Sequence, residues 1–286
     1  MKRYRIVHQT LYQFPGPVQL LPHTLRIRPR EGHELRIESS TLAIVPEARL
    51  RWHRDVEGNC VATANFIFMG AAQSLNINSQ IIIQQYDQLP HDFLVADYAV
   101  SYPFAYQPED SILLAGYLGT TEELDYALLD QWLSGIWQPG TPVQTAALLL
   151  RLNEKIHTTF RYQRREEEGV QTAAQTLLSG SGSCRDFANL MMIAARRLGL
   201  AARFVSGYLY TAATTAQSGS THAWTEVFIP GAGWKGFDPT IGKLAGPAHI
   251  AVAVARTPRS VPPVAGAYHG APGASMTVDV RVSLLD

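Results

Sequence analysis

Cysteine is scarce: two residues, Cys60 and Cys184, in a chain of 286. So few thiols exclude a disulfide framework and a multi-cysteine metal module, and they suit a reducing compartment in which a reactive thiol stays free. No charge of either sign is in excess. The 24 Lys and Arg balance 24 Asp and Glu, which removes the basic surplus that a nucleic-acid or anionic-membrane partner favours. Long apolar runs are missing as well; none approaches the roughly 18 residues of a membrane span. The opening Met1-Lys-Arg-Tyr-Arg-Ile6 lacks the apolar core and small-residue cleavage site of a secretory signal. These absences set the expectation of a cytoplasmic protein with neither nucleic acid nor membrane as partner. Metal-ligand spacing is absent among His8, His23, His33, His53, His91, His157, His249 and His269, which read as surface or core residues. No cofactor and no metal is expected.

What is present is the composition of an ordinary globular chain, 46% hydrophobic, 17% charged and 9% aromatic, long enough for two domains. Residues 1 to about 86 carry strand patterns. Tyr4, Ile6, Tyr12 and Phe14 share one parity, interrupted by His8 and Thr10. Leu25-Arg-Ile27-Arg and Leu35-Arg-Ile37-Glu alternate cleanly. Leu50–Asp55 and Cys60–Phe68 flank the turn signal Glu57-Gly58-Asn59, and Leu75–Tyr86 closes the series. Short alternating strands between turn residues predict an antiparallel β-sandwich, placed at residues 1–100. No nucleophile, base and acid cluster there, and Cys60 reads as structural.

The texture then changes. Prolines at 90, 103 and 108 mark a crossing segment, followed by helical stretches near 109–118 and 121–137. Thr141-Pro142 predicts a helix start, with Ala146, Leu149, Leu150, Asn153 and Ile156 at helical spacing behind it. Thr172 predicts another. The basic run Arg161–Arg165, followed by Glu166–Glu168, reads as a solvated loop. After Ser179-Gly-Ser-Gly-Ser183, the residues Phe187, Leu190, Met191, Ala194 and Leu198 form one apolar helix face that Gly199 ends. Ala201–Tyr210 reads as a strand. A Ser/Thr/Ala/Gly loop at 211–220 leads to a hairpin, His222–Ile229 and Trp234–Asp238 around Pro230-Gly-Ala-Gly233. His249–Arg256 alternates Ile and Val with Ala, and Thr277–Val282 reads as a last strand. Helices before, sheet after, make residues 101–286 an α+β domain.

Cys184 is the informative residue. It sits in Gly-Ser-Cys-Arg-Asp-Phe-Ala, residues 182–188, where a glycine-serine loop becomes a helix. Amides and dipole at a helix N-terminus favour a thiolate, and a nearby imidazolium favours it further. The same amides can hold a developing oxyanion. Thr-His-Ala-Trp at 221–224 and Gly-Phe-Asp-Pro-Thr at 236–240 supply a base, His222, and an acid, Asp238. Side chains alternate along a strand, so the hairpin turn decides whether these two meet. A turn centred at residue 230 sets them directly opposite and one centred at 231 sets them diagonal; a centre between residues would separate them.

These motifs carry a resemblance. Gly-Ser-Cys-Arg-Asp-Phe-Ala, Leu-Gly-Leu-Ala-Ala-Arg-Phe-Val-Ser-Gly-Tyr (198–208), Thr-His-Ala-Trp-Thr-Glu-Val and Gly-Trp-Lys-Gly-Phe-Asp-Pro-Thr resemble the transglutaminase-like superfamily, in particular bacterial transglutaminase-like cysteine proteases. The likeness runs from about 141 to 242, and Tyr4-Arg-Ile-Val-His8, Pro17 and Arg28-Pro29 resemble the β-rich N-terminal domain of these proteins. The resemblance implies a papain-like core of helices packed on an antiparallel sheet. It also implies a Cys184, His222, Asp238 triad acting through a thioester on a peptide or protein amide, by hydrolysis or by amine transfer. The tail departs from the family pattern: Pro247-Ala248 stand where relatives have an acidic residue, and Arg256-Thr-Pro-Arg replaces an Arg-Asp-Tyr stretch.

Blander readings compete. A lone cysteine at a helix start is most often a small buried residue. The same Cys, His and Asp could ligate zinc, or the scaffold could serve as a non-catalytic binding module. Trp224 and Trp234 suit core packing as well as a site wall. Asp186 complements the helix dipole, and Tyr162 reads as a packed aromatic or an oxyanion donor.

Overall fold

The computed structural model describes residues 1–285 except 68–69, 87–88, 90, 121, 123–125, 166 and 212–220. Alternation builds its first half. β1 (Lys2–Leu25), β2 (Leu35–Val45), β3 (Ala48–Arg54), β4 (Cys60–Phe66) and β5 (Ala72–Gln85) follow in order, every pairing antiparallel. The start of β1 pairs with β5, which pairs with β2. Its end, His23–Leu25, pairs with β4, which pairs with β3. One strand therefore serves two sheets. The ladder to β5 breaks between Gln13 and Val18, where Pro15 and Pro17 have no N–H to donate. Leu25, Ile27, Ala62, Leu75 and Ile77 fill one core cluster of this sandwich.

The connecting region adds β6 (Ser101–Tyr102), α1 (Pro108–Leu118), α2 (Tyr126–Ser134), β7 (Val143–Gln144) and α3 (Thr145–Thr159), then β8 (Arg161–Tyr162), α4 (Ala173–Ser179), β9 (Ser181–Gly182) and α5 (Cys184–Arg197). Thr141-Pro142 does not open a helix. Val143–Gln144 first pairs with Ser101–Tyr102, and α3 begins only at Thr145, whose hydroxyl donates to the Ala99 carbonyl at 2.6 Å. Its buried residues are Thr145, Leu148, Leu149, Leu152, Asn153 and Ile156, so the inward stripe keeps Leu149, Asn153 and Ile156 of the expected face, while Ala146 and Leu150 are only partly buried. Thr172 does cap α4, in a reciprocal pair with Gln175. α5 exceeds its expected single face, because every residue from Asp186 to Arg196 is buried. The loop expected at 211–220 lies, apart from residue 211, outside the described residues.

The second sheet runs β13-β12-β11-β10-β14, with β10 (Ala202–Leu209), β11 (Thr221–Ile229), β12 (Gly233–Asp238), β13 (Lys243–Leu244) and β14 (His249–Ala255). α5 packs on β10 and β11. The chain then returns: β15 (Val264–His269) and β16 (Ser275–Leu285) both pair with β1. A single cut near residue 100 omits this return, since the last strand lies along Arg3–Gln13 of the first. Among the described residues no helix is long and apolar enough to cross a membrane.

His8 and Thr10, which interrupt the apolar stripe of β1, mark where the two halves meet. Tyr208 donates its hydroxyl proton to the Ile27 carbonyl at 3.0 Å, so at 2.8 Å it accepts from His8 Nδ1. His8 Nε2 then accepts from the Thr10 hydroxyl at 3.1 Å. The chain of bonds defines a neutral ring, and burial pushes its pKa down to about 4. The unfolded chain takes up a proton below about 6.5 while the native ring does not. The stabilisation is thus complete above pH 6.5 and lost as pH falls toward 4. Urea unfolding between pH 7 and 4 should lose up to roughly 3 kcal/mol from this group, and His8→Gln should remove that part of the pH slope.

Candidate active site

The approach to α5 is sterically tight. A Cβ on Gly182 would lie 2.9 Å from Asp186 Cβ and 3.2 Å from the Phe187 ring, so only glycine lets the chain enter here. Ser183 follows as the N-cap and Cys184 is the first helical residue. The Ser183 amide and hydroxyl both donate to Asp186 Oδ2, at 2.8 and 2.7 Å. Asp186 Oδ1 accepts from the Gln171 amide and from Arg165, each at 2.8 Å. Asp186 is therefore more than a complement to the dipole: it ties Arg165 and Gln171 to the helix end. Arg185 adds to this tie by donating to the carbonyls of Arg165 and Glu167.

The hairpin forms, and in each β11–β12 pair the two residue numbers total 462. Its turn is centred at 231, the diagonal register, with His222 and Asp238 on one face. His222 Nε2 lies 2.6 Å from Asp238 Oδ2, which leaves Nδ1 as the nitrogen available to Cys184, whose proximity helps to raise the pKa of the ring. The structure thus brings together the three residues singled out from the sequence. Burial opposes a charge on His222, but its bonds to Asp238 and Cys184 outweigh burial and hold its pKa well above the ordinary value. For Asp238 burial likewise opposes ionisation, and donors from His222 and His249 overcome it, keeping the carboxyl well below the usual range. The Thr240 amide donates to its other oxygen at 2.9 Å.

Trp224 forms the floor beneath. Its indole lies between Gly207 on β10 and Gly236 on β12, where added Cβ atoms would stand 2.7 and 3.3 Å from the ring. Its centroid is 6.2 Å from that of His222 and 5.2 Å from that of His249. Trp234 lies apart, stacked by Arg203 at 4.2 Å. Tyr162 is half exposed at the rim, edge-on to Phe187 at 6.4 Å. Burial and then the charge of Cys184 raise its pKa. Cys60 is free and partly buried in the sandwich.

His249 was not legible as a site residue. Its Nε2 lies 2.9 Å from Asp238 Oδ2, and its Nδ1 accepts from the Gly246 amide at 3.1 Å. His222, Asp238 and His249 offer ligand atoms within 4.8 Å of one another, the spacing of a metal group. The wiring argues against one. A metal-bound histidine donates its other N–H, whereas Nδ1 of His249 is already an acceptor, so Nε2 must keep the proton.

Asp186 provides a test of this architecture. Burial works against its charge, yet the bonds from Ser183, Gln171 and Arg165 lower its pKa overall. A depressed carboxyl stabilises fully above its unfolded value near 4 and loses that contribution as pH falls further. Asp186→Asn should cost about 3 kcal/mol in urea unfolding at pH 7, because Arg165 loses its buried partner. The difference from wild type should shrink below pH 4.

Comparison with known proteins places this geometry in a family. The fold superposes on a candidate cysteine protease from Cytophaga hutchinsonii with a TM-score of 0.74, covering 100% of this chain and 91% of that one at 19% identity. An uncharacterized protein of Mycobacterium tuberculosis is 28% identical over 302 residues, 99% of this chain and 92% of the relative. Another, from Mycobacterium leprae, is 24% identical over 306 residues and is covered in full. Residues 131–239 match the transglutaminase-like superfamily, and residues 4–84 match the bacterial transglutaminase-like N-terminal region. The chain belongs to the transglutaminase-like superfamily, joined to the N-terminal region of its bacterial members.

Proposed function

We propose that this protein is a cysteine-dependent acyl-transfer enzyme that hydrolyses a peptide or protein amide. The observation that carries the reading is the Cys184–His222–Asp238 alignment, with the thiol at a helix N-terminus and the imidazole anchored at 2.6 Å to a buried carboxylate. The Cys184 thiolate attacks the amide carbonyl, forming a C–S bond while the carbonyl electrons move to oxygen. First-turn amides of α5 are the donors for that oxyanion. As the C–N bond breaks, the His222 imidazolium gives its proton to the leaving amine. Neutral His222 then takes a proton from water as the water attacks the thioester; the acid departs and thiolate and imidazolium are restored. Asp238 orients His222 and stabilises its charged form.

Hydrolysis is favoured over amine transfer because Cys184 is only partly buried and Tyr162 at the rim is half exposed. An acyl group held there is open to water, and a transferase must keep water out. Iodoacetamide labelling between pH 5 and 8 tests the nucleophile. Alkylation of wild type at Cys184 within that range is the expected result, while a thiol inert throughout it would favour a binding module. A glutamine peptide supplied with and without a primary amine separates the two fates. Ammonia release without amine incorporation is the expected result, and dominant incorporation would make the protein a transferase. Cys184→Ala should abolish either activity by at least about 1,000-fold.

A further inference from the structure

We propose that His249 is a positioning residue of this site, a neutral imidazole that holds Asp238 in place for His222. The assignment rests on the acyl-transfer reading above and adds a fourth residue to it. Three observations carry it. The first is the proton count: the Gly246 amide donates to Nδ1, so the ring proton sits on Nε2 and is donated to Asp238 Oδ2. The second is the accounting at Asp238. Oδ2 takes both imidazoles and Oδ1 takes the Thr240 amide, so a fully buried carboxylate is fixed against rotation by three donors. Removing one loosens the orientation of the group that orients His222.

The third observation is a β-bulge that aims His249 at the site. On β14, Val254 opposes Val205, but Ala251 opposes Gly207 and His249 opposes Leu209, leaving Val252 as the extra residue. Val205, Gly207 and Leu209 share one face of β10, so Val254, Ala251 and His249 share it too. Regular alternation from Val254 would turn His249 to the opposite face. Bulges commonly redirect a side chain next to a functional site. The face they share carries Trp224, whose ring meets His249 edge-on at an interplanar angle of 77°. Behind His249 is a cavity whose charged and titratable lining comes from Arg30, His33, Glu34, Asp92, Glu226 and Lys235.

The test compares wild type with His249→Phe, which keeps ring bulk without a donor, and His249→Gln, which returns an amide N–H near the Nε2 position. Losing one hydrogen bond to a charged group should lower kcat by roughly 10- to 100-fold. KM should stay within about twofold, as expected of a residue that acts through Asp238. The acid limb of Cys184 alkylation should move up in His249→Phe and return part of the way in His249→Gln. Long-range proton–nitrogen NMR of the resting wild-type enzyme should find His249 as the Nε2–H tautomer. A Nδ1–H or doubly protonated ring would overturn the proposal whatever the variants do. Wild type that alkylates normally beside a folded His249→Phe with unchanged kcat and pH profile would overturn this assignment alone. A wild-type thiol that does not alkylate would overturn the nucleophile reading and this assignment with it.

Discussion

Burying α5 on every side is the constraint from which the rest follows. A helix with a solvent face can leave polar groups to water; one enclosed from Asp186 to Arg196 cannot. Each polar residue therefore reaches into the surrounding chain. Asn189 donates to Glu122 and to the Gln171 carbonyl. Arg196 donates to the carbonyls of Gly119, Ala202 and Arg256. Burial, with Arg256 nearby, pushes its pKa down to about 10, so it still carries its charge at neutral pH. These bonds fix the helix to the connecting segment, to the second sheet and to Gln171. With its length anchored, the helix presents Cys184 at a defined end.

The same logic governs the two buried carboxylates. Asp186 and Asp238 are both fully enclosed, and a lone buried charge is costly enough to neutralise or unfold its surroundings. Asp186 meets that demand with four donors, Asp238 with three. The difference lies in what the donors are. Around Asp186 they are two backbone amides, a hydroxyl and a guanidinium, none of which gives up its proton near neutral pH. Around Asp238 two of three are imidazoles, and His222 also interacts with Cys184. One carboxylate is wired as structure and the other into a group that can exchange a proton.

The legible parts of this molecule were those whose signal is local. The strands of the sandwich, the hairpin, the Thr172 cap and the helix after Cys184 follow from periodicity and turn chemistry within a few residues. The meeting of His222 and Asp238 needed only parity and a turn centred on a residue rather than between two. What escaped was set by distant contacts. Thr141-Pro142 has the chemistry of a helix start, but Val143–Gln144 finds a strand partner at Ser101–Tyr102 and delays the helix to Thr145. Thr277–Val282 reads as a strand without saying that its partner is the first strand of the chain. His249 was hidden by the bulge, because strict alternation sends it away from the site that the extra residue Val252 turns it toward.

The returning strands also change what the N-terminal half means for the site. A cavity of about 740 Å³ lies behind His249 and Trp224, and its walls come from both halves: Arg30, Glu34 and Gln85 from the sandwich side, Glu226 and Lys235 from the second sheet. The sandwich therefore walls part of the cavity that His249 and Trp224 line. Hydrogen bonds to a buried carboxylate owe their strength to the low local dielectric. The polar bridge from His8 through Tyr208 to Ile27 keeps that cover in register with β10. The geometry around Asp238 and the docking of the sandwich are, on this view, one packing problem solved on two faces of the same sheet.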